Sequence, residues 1–317
     1  MTRPCTVCLL AAVATAMLAG CVKPPATMLS RAQLVGQYNA NARQVPRLWA
    51  RAKIALLIRD EQGRLIPWGS TSPLASPNGL LLLAKDRPGQ ADFTLIGREA
   101  GQELFRLGIG PRGAGGPDAY YLWYKLGQQG QAYWGLRALA GAEGIDELPL
   151  DPVHLVGVLG VVELPDDFTR LPTVAVTMQD KPPYAYVATY VDRQPVSGDI
   201  LFRRRLYLRW SDTAPPRPFR MDLLDNAGRT VMVADLADYQ GIAAADVPAG
   251  ESAPVMPADI TLTWPGRGSR IHIVLSEMTA ADTWDATALE YRPPPGLASR
   301  QVDAPLVRAL TTREAEP

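Results

Sequence analysis

Apolar and polar residues alternate with a period of two over most of this chain, the signature of strands that have one buried and one wet face. The clearest run places Leu48, Ala50, Ala52, Ile54, Leu56 and Ile58 on one side and Arg51, Lys53 and Arg59 on the other. It predicts a long strand. Asp60-Glu61-Gln62-Gly63 supplies a turn, residues 64–68 a return strand, and residues 69–78 a loop rich in serine and proline. Further strands are predicted over residues 79–85, 91–98, 102–109, 119–126 and 131–137. After a break they resume over 173–179, 184–192, 199–210, 219–224, 229–235, 259–264 and 270–278. Connections within each run are too short for a parallel crossover, so neighbours should be antiparallel.

Two stretches break the period. Ser30-Arg31-Ala32-Gln33 fits a capping box, with Leu29 and Leu34 placed as a hydrophobic staple. Leu34, Val35, Tyr38, Ala42 and Val45 then share one helical face, and Pro46 ends it. Between the strand runs, Asp151 stands as N-cap, Pro152 at the first helical position and Gly160 at the end of a short apolar helix. The two strand runs flanking it are expected to pair into one continuous curved sheet. From Pro293 the chain is proline-rich and then charged, and a peripheral, partly disordered tail is expected there.

The amino terminus changes the picture more than overall composition does. Behind Arg3, residues 7–18 form an apolar segment of the length of a signal h-region, shorter than the ~20 residues that span a bilayer. Leu18-Ala19-Gly20-Cys21 closes it and resembles the lipobox of bacterial lipoproteins. That resemblance implies cleavage before Cys21 and a diacylglycerol on its thiol. Val22 in place of an aspartate after the cysteine implies export to the outer membrane. Cleavage by the ordinary signal peptidase, or an uncut leader, is the alternative. Residues 21–29, with Pro24 and Pro25, read as an extended tether. Removing residues 1–20 removes Cys5 and Cys8, which leaves no disulfide framework and no cysteine metal site. Balanced charge, 32 basic against 32 acidic residues, argues against nucleic acid as a partner.

The lipidated cysteine, the capped helix, the strand opening Leu48-Trp49-Ala50-Arg51-Ala52, the meander containing Gly97-Arg98-Glu99-Ala100-Gly101-Gln102-Glu103-Leu104-Phe105, the central helix and the second strand set resemble the LolA/LolB group of periplasmic lipoprotein carriers. The resemblance covers roughly residues 33–292. It implies a mainly β (α+β) fold, a curved and incompletely closed antiparallel barrel or half-barrel with capping helices, formed as a single domain over residues 30–292. It also implies a gap that holds acyl chains. Cys21 matches the anchored member of the pair.

Several clusters are candidates for that chemistry. Leu80 to Leu83 form a strand apolar on both faces, to be covered by a lipid or by a helix. Ile54, Leu56, Phe93, Leu95, Leu104, Phe105, Leu107 and Leu122 are candidate lining residues of an acyl cavity, with plain core packing as the alternative for each. Tyr120, Tyr121, Trp123, Tyr124, Tyr133 and Trp134 are either cross-strand packing or the boundary between a cavity and water. Arg203, Arg205 and Arg209 are expected on one strand face, with Arg204 opposite, as a solvated edge or a contact for anionic headgroups. Gly108-Ile109-Gly110-Pro111-Arg112-Gly113 matches a dinucleotide pattern by letters, but Ala114-Gly115-Gly116-Pro117 cannot open the helix that motif needs; a flexible hairpin loop is expected. His154 and His272 lack nucleophile or metal-ligand partners in sequence, and acid pairs such as Asp166-Asp167 lie at turns. Neither a cofactor nor a metal is expected. The sequence is thus read as a non-enzymatic envelope lipoprotein that binds a lipid or an acylated protein. An envelope scaffold or sensor with a periplasmic protein partner is the alternative, and a carboxylate hydrolase a third reading.

Overall fold

The computed structural model describes residues 25–314, apart from 61, 88–89, 114–115, 127–128, 143–144, 146–147, 149, 195, 244–246, 248–251 and 281–283. The leader and Cys21 lie outside the described residues. Helix α1 (Arg31–Arg43) begins as its cap predicts: Ser30 Oγ accepts from the Gln33 amide, and the Ser30 amide donates to Gln33 Oε1 at 2.9 Å. Leu34, Val35, Tyr38 and Ala42 are buried beneath it.

The strands are β1 (Arg47–Arg59), β2 (Leu65–Gly69), β3 (Gly79–Arg87), β4 (Gln90–Glu99), β5 (Gln102–Pro111), β6 (Asp118–Leu126) and β7 (Gln129–Leu136). After helix α2 (Pro152–Val158) come β8 (Thr173–Gln179), β9 (Ala185–Arg193), β10 (Ile200–Arg209), β11 (Pro218–Leu224), β12 (Thr230–Gly241), β13 (Val255–Trp264) and β14 (Ser269–Thr279). All belong to one curved sheet in the order β7-β6-β5-β4-β3-β1-β14-β13-β12-β11-β10-β9-β8, with β2 paired to β1. Every pairing among them is antiparallel. The sheet does not close. The two runs meet through β1 and β14, from Trp49↔Thr279 to Leu57↔Arg270, so β7 and β8 stand at opposite sides although they flank α2 in sequence.

That topology sends the connection between β7 and β8 across the hollow of the sheet. Leu155 and Val158 of α2 join the inner core with Leu48 to Ile58 of β1, and α2 lies against β5 and β6. On the outer face, the 3-10 turn Ala286–Leu289 covers β3: Leu82, Ala84 and Leu289 form a buried cluster with Trp49 and Trp284 against it, whereas Leu81 and Leu83 face the inner core. The leucine run is therefore covered by protein on both faces. The aromatic cluster divides likewise, with Tyr120, Tyr124 and Tyr133 inside and Tyr121, Trp123 and Trp134 outside beneath Tyr291.

The expectation of a partly disordered tail is corrected by residues 299–314. Strand β15 (Ser299–Gln301) adds to β7 in parallel, and helix α3 (Ala304–Glu314) follows. Asp303 is fully buried and accepts from the Leu136 amide at 2.6 Å, and Val302 is buried beside it. A proline-rich approach hid this order, because proline-rich composition suggests an unpacked chain while here it delivers the covering layer of an edge strand. The glycine pattern over residues 108–113 is also more ordered than expected. Its first part continues β5 to Pro111, where the outer cover approaches so closely that a Cβ at Gly110 would overlap the Leu289 carbonyl oxygen.

Candidate functional site

Inward positions on β9 to β12 begin as ordinary core. Tyr186 and Ala188 on β9, Leu206 and Leu208 on β10, Met221 on β11 and Ala234 on β12 are buried in the cluster shared with β1. Toward the β9–β10 and β11–β12 turns the filling stops, leaving a cavity of about 650 Å³. Its wall is made by Tyr190, Arg204, Met221 and Leu223 from the sheet, Trp264 from β13, and Ala140, Ile145, Leu148, Val153 and His154 from the connection that carries α2. Met221, Leu223, Trp264 and Tyr120 are buried and form its floor, while Asn226, Ala227 and Arg229 of the β11–β12 turn form an exposed rim.

A β-bulge places the charges. Phe202 pairs with Val191 and Arg204 with Tyr190, so Arg203 is an extra residue on β10 and the alternation breaks there. Both Arg203 and Arg204 line the cavity as a result, whereas Arg205 and Arg209 are exposed elsewhere, with Arg209 5.6 Å from the Phe219 ring centroid. This corrects the expected face, which grouped Arg203 with Arg205 and Arg209 and set Arg204 apart. Three consecutive arginines in a strand were the available signal, because strict alternation cannot keep a run of like charges on one face.

The lining carries Arg193, Arg203, Arg204, Arg229 and Arg267 against Asp151, Asp192 and Asp225. Some are spoken for. Arg229 pairs with Asp225 at 2.8 Å, Arg203 donates to the carbonyls of Gly141 at 3.0 Å and Arg193 at 3.3 Å, and Arg267 donates to the Leu148 carbonyl. Burial holds the Arg203 guanidinium below its ordinary pKa, partly offset by Asp192. The pKa of His154 is lowered, mainly by burial and further by Arg204 and Arg203, against the pull of Asp151. Its Nδ1 is buried without a hydrogen bond among the described residues, 3.6 Å from Asp151 Oδ2.

None of the eight residues singled out from the sequence lines this cavity. Ile54, Leu56, Phe93, Leu95, Phe105, Leu107 and Leu122 are buried in the filled core, and Leu104 packs partly exposed against it. The structure brings those eight together, but as mutual packing. Sequence reading also passed over the polar set around His272. Its Nε2 lies 2.9 Å from Asp259 and its Nδ1 2.7 Å from Thr71 Oγ1. These contacts fasten the 69–78 loop to the sheet, as do Lys53, which donates to the Ser72 and Pro73 carbonyls, and Asn78, which bonds both backbone groups of Ile54. Leu74 at the tip of that loop is 97 % exposed. Among the described residues no group of three or more His, Cys, Asp or Glu side chains is placed to hold a metal ion.

No protein-family model matches the chain, and no curated protein matches it. Solved structures do. A DUF1329 family protein from Desulfovibrio piger is similar over 81 % of this chain and 97 % of its own, with 10 % identity and a TM-score of 0.49. A structure described as an outer membrane lipoprotein-sorting protein domain, from Vibrio parahaemolyticus, covers 81 % of this chain and 95 % of its own, with 8 % identity and a TM-score of 0.48. A LolA superfamily protein from Nitrosomonas europaea covers 80 % and 96 %, with 11 % identity and a TM-score of 0.41. Each is a protein this chain is similar to; the open sheet, its crossing helix and its cavity rest on the chain's own strand pairing.

Proposed function

We propose that the protein is a non-enzymatic envelope lipoprotein that receives the hydrocarbon part of a lipid or acylated protein in the cavity between α2 and β9 to β12. The observation that carries this is the unfilled hollow itself. Its volume of about 650 Å³ falls in the range of roughly 300–1,000 Å³ typical of small-ligand sites, and its floor is apolar.

The tether supports a particular orientation. The Ala26 and Thr27 amides donate to Asp212 at 2.8 and 2.9 Å, Trp210 Nε1 donates to the Thr27 carbonyl at 2.7 Å, and the Leu29 amide donates to the Tyr186 hydroxyl. These partners lie where β9 begins and β10 ends, at the far end of those strands from the cavity rim. At about 3.3 Å per residue, β10 separates the two ends by roughly 30 Å, while residues 21–26 reach at most about 17 Å. A lipid on Cys21 in the outer membrane would therefore hold the rim facing the periplasm, toward an incoming donor.

A second reading follows from the outer side of the same bulge. Ile200 is 63 % and Phe202 54 % exposed, beside exposed Val196 of the β9–β10 turn, an apolar patch suited to a protein partner of a scaffold or sensor. Mass spectrometry of lipids extracted from the natively purified protein tests the first reading. A co-purifying amphiphile that disappears when Leu223→Trp fills the cavity supports it; extracts equally empty, or equally loaded, for both proteins contradict it.

A further inference from the structure

Arg204 is the one sheet arginine of the cavity wall for which the described residues provide no hydrogen-bond or ion-pair partner. Its guanidinium lies 4.6 Å from the centroid of the Tyr190 ring, an attractive contact that takes up no N–H donor in a conventional hydrogen bond. The opposing surface is the backbone of α2 at Gly157, where a Cβ would overlap Arg204 Nη1. Glycine at that point of a short helix gives up helix propensity and gains room for a charged group. Burial pushes the Tyr38 hydroxyl up to about 12, with Arg204 pulling the other way, which fits a guanidinium held within the fold rather than one extended into solvent.

Among the described residues, the other carboxylates of the lining are engaged elsewhere. Asp225 is taken by Arg229, Asp151 accepts from the Val153 amide at 2.9 Å, and Asp192 accepts from the Arg193 amide at 2.7 Å. Arg203 sits next to Arg204 on the bulge and, among the described residues, donates to two carbonyls. The result is two adjacent cations on one side of a hollow whose other side is Met221, Leu223, Tyr120 and Trp264. Partly desolvated guanidinium N–H groups that lack an acceptor gain most from an oxyanion, which accepts them in the plane they already occupy.

We propose that Arg204, supported by Arg203, is a headgroup anchor: it binds the oxyanion of an anionic amphiphile whose hydrocarbon lies on the Met221–Leu223–Trp264 floor. This rests on the carrier reading and specifies its ligand. The charge and the apolar floor lie side by side, Arg204 being the register partner of Leu223 and Met221 lying one step deeper opposite Leu206, so a neutral lipid would fill the floor and leave Arg204 without its acceptor.

Titration calorimetry with short-chain lipids below their micelle concentration tests the assignment. The probes are dihexanoyl phosphatidylglycerol, dihexanoyl phosphatidylcholine and inorganic phosphate, applied to the wild-type chain and to Arg204→Gln, Gly157→Ala and Arg209→Gln. A lost charge-assisted contact corresponds to a preference of roughly tenfold to a hundredfold. The wild type should prefer the anionic lipid over the zwitterionic one by that factor. Arg204→Gln should abolish the preference while retaining the weaker phosphatidylcholine binding. Gly157→Ala, which keeps the arginine but displaces it, should reduce the preference, and Arg209→Gln should leave it intact. Equal binding of the two lipids by the wild type, or a preference unchanged in Arg204→Gln, overturns the anchor and leaves the carrier standing. Binding of neither lipid by the wild type overturns the carrier reading and the anchor with it. Phosphate that binds as tightly as phosphatidylglycerol would mark a free-oxyanion site and overturn the amphiphile.

Discussion

The two halves of the sheet share one curvature and one inner face, yet one is filled and the other hollow. On β3 to β6, inward Leu83, Phe93, Leu95, Phe105, Leu107 and Leu122 share one buried cluster with Leu155 and Val158 of α2, and a second layer from residues 284–303 covers the outer face. On β9 to β12 no second layer is seen among the described residues, and the inward column ends in Tyr190, Arg204 and Leu223, which line the cavity. What separates the halves is where polar side chains interrupt an inward column, not how apolar the strands are. The filled half is packed against α2, and the other half leaves the cavity open.

The largest expected effect lies in the filled half. Phe93→Ala should lower unfolding free energy by about 3–5 kcal/mol, measured by urea titration, while amphiphile binding by the remaining folded protein stays near wild type. Loss of binding at equal foldedness would place the ligand in the wrong half. Next is the outer seal. Asp303→Ala removes the acceptor of the Leu136 amide and of Gln301 Nε2, and leaving that partly buried amide unpaired should cost about 1 kcal/mol. Hydrogen exchange should quicken at β7 and not at β10.

Leu223→Trp sharpens the contrast from the other side, since a larger side chain has space in the hollow. It should change stability by less than the roughly 1–3 kcal/mol of an overpacked core, yet abolish uptake of an amphiphile. The smallest effect concerns the tether. Backbone amides of Ala26 and Thr27 hold the Asp212 carboxyl below its ordinary pKa. Because the docked value lies below the undocked one, the attachment is at full strength above the ordinary carboxylate range and weakens as pH falls through the depressed value. The Trp210 indole N–H resonance should report that release, and Asp212→Ala should remove the pH dependence.

The parts legible in the sequence were those fixed by neighbours along the chain. Ser30 and Gln33 announced α1, Asp151 and Pro152 announced α2, and β1 is bounded within a residue of its alternating run. The β1–β14 seam was not legible, because no local pattern says which of many antiparallel strands becomes a partner more than two hundred residues away. The cavity was missed for a different reason. Phe93 and Leu95 look the same in sequence whether they pack against protein or face a ligand, so hydrophobicity alone selected the filled half. The bulge at Arg203 was written in three successive arginines, but its consequence, a pair of cations turned inward, depends on the register with Tyr190 and Val191.

The most direct test of the hollow half is to locate a bound tail. The wild-type protein is irradiated with a phosphatidylglycerol analogue carrying a diazirine in its acyl chain, and the adducts are mapped by peptide sequencing. Labels on Met221, Leu223 and Leu224 of β11 and on residues 153–154 of α2 are the expected result. Labels concentrated on Phe93, Leu95 and Leu107, or a pattern unaffected by Leu223→Trp, would contradict it.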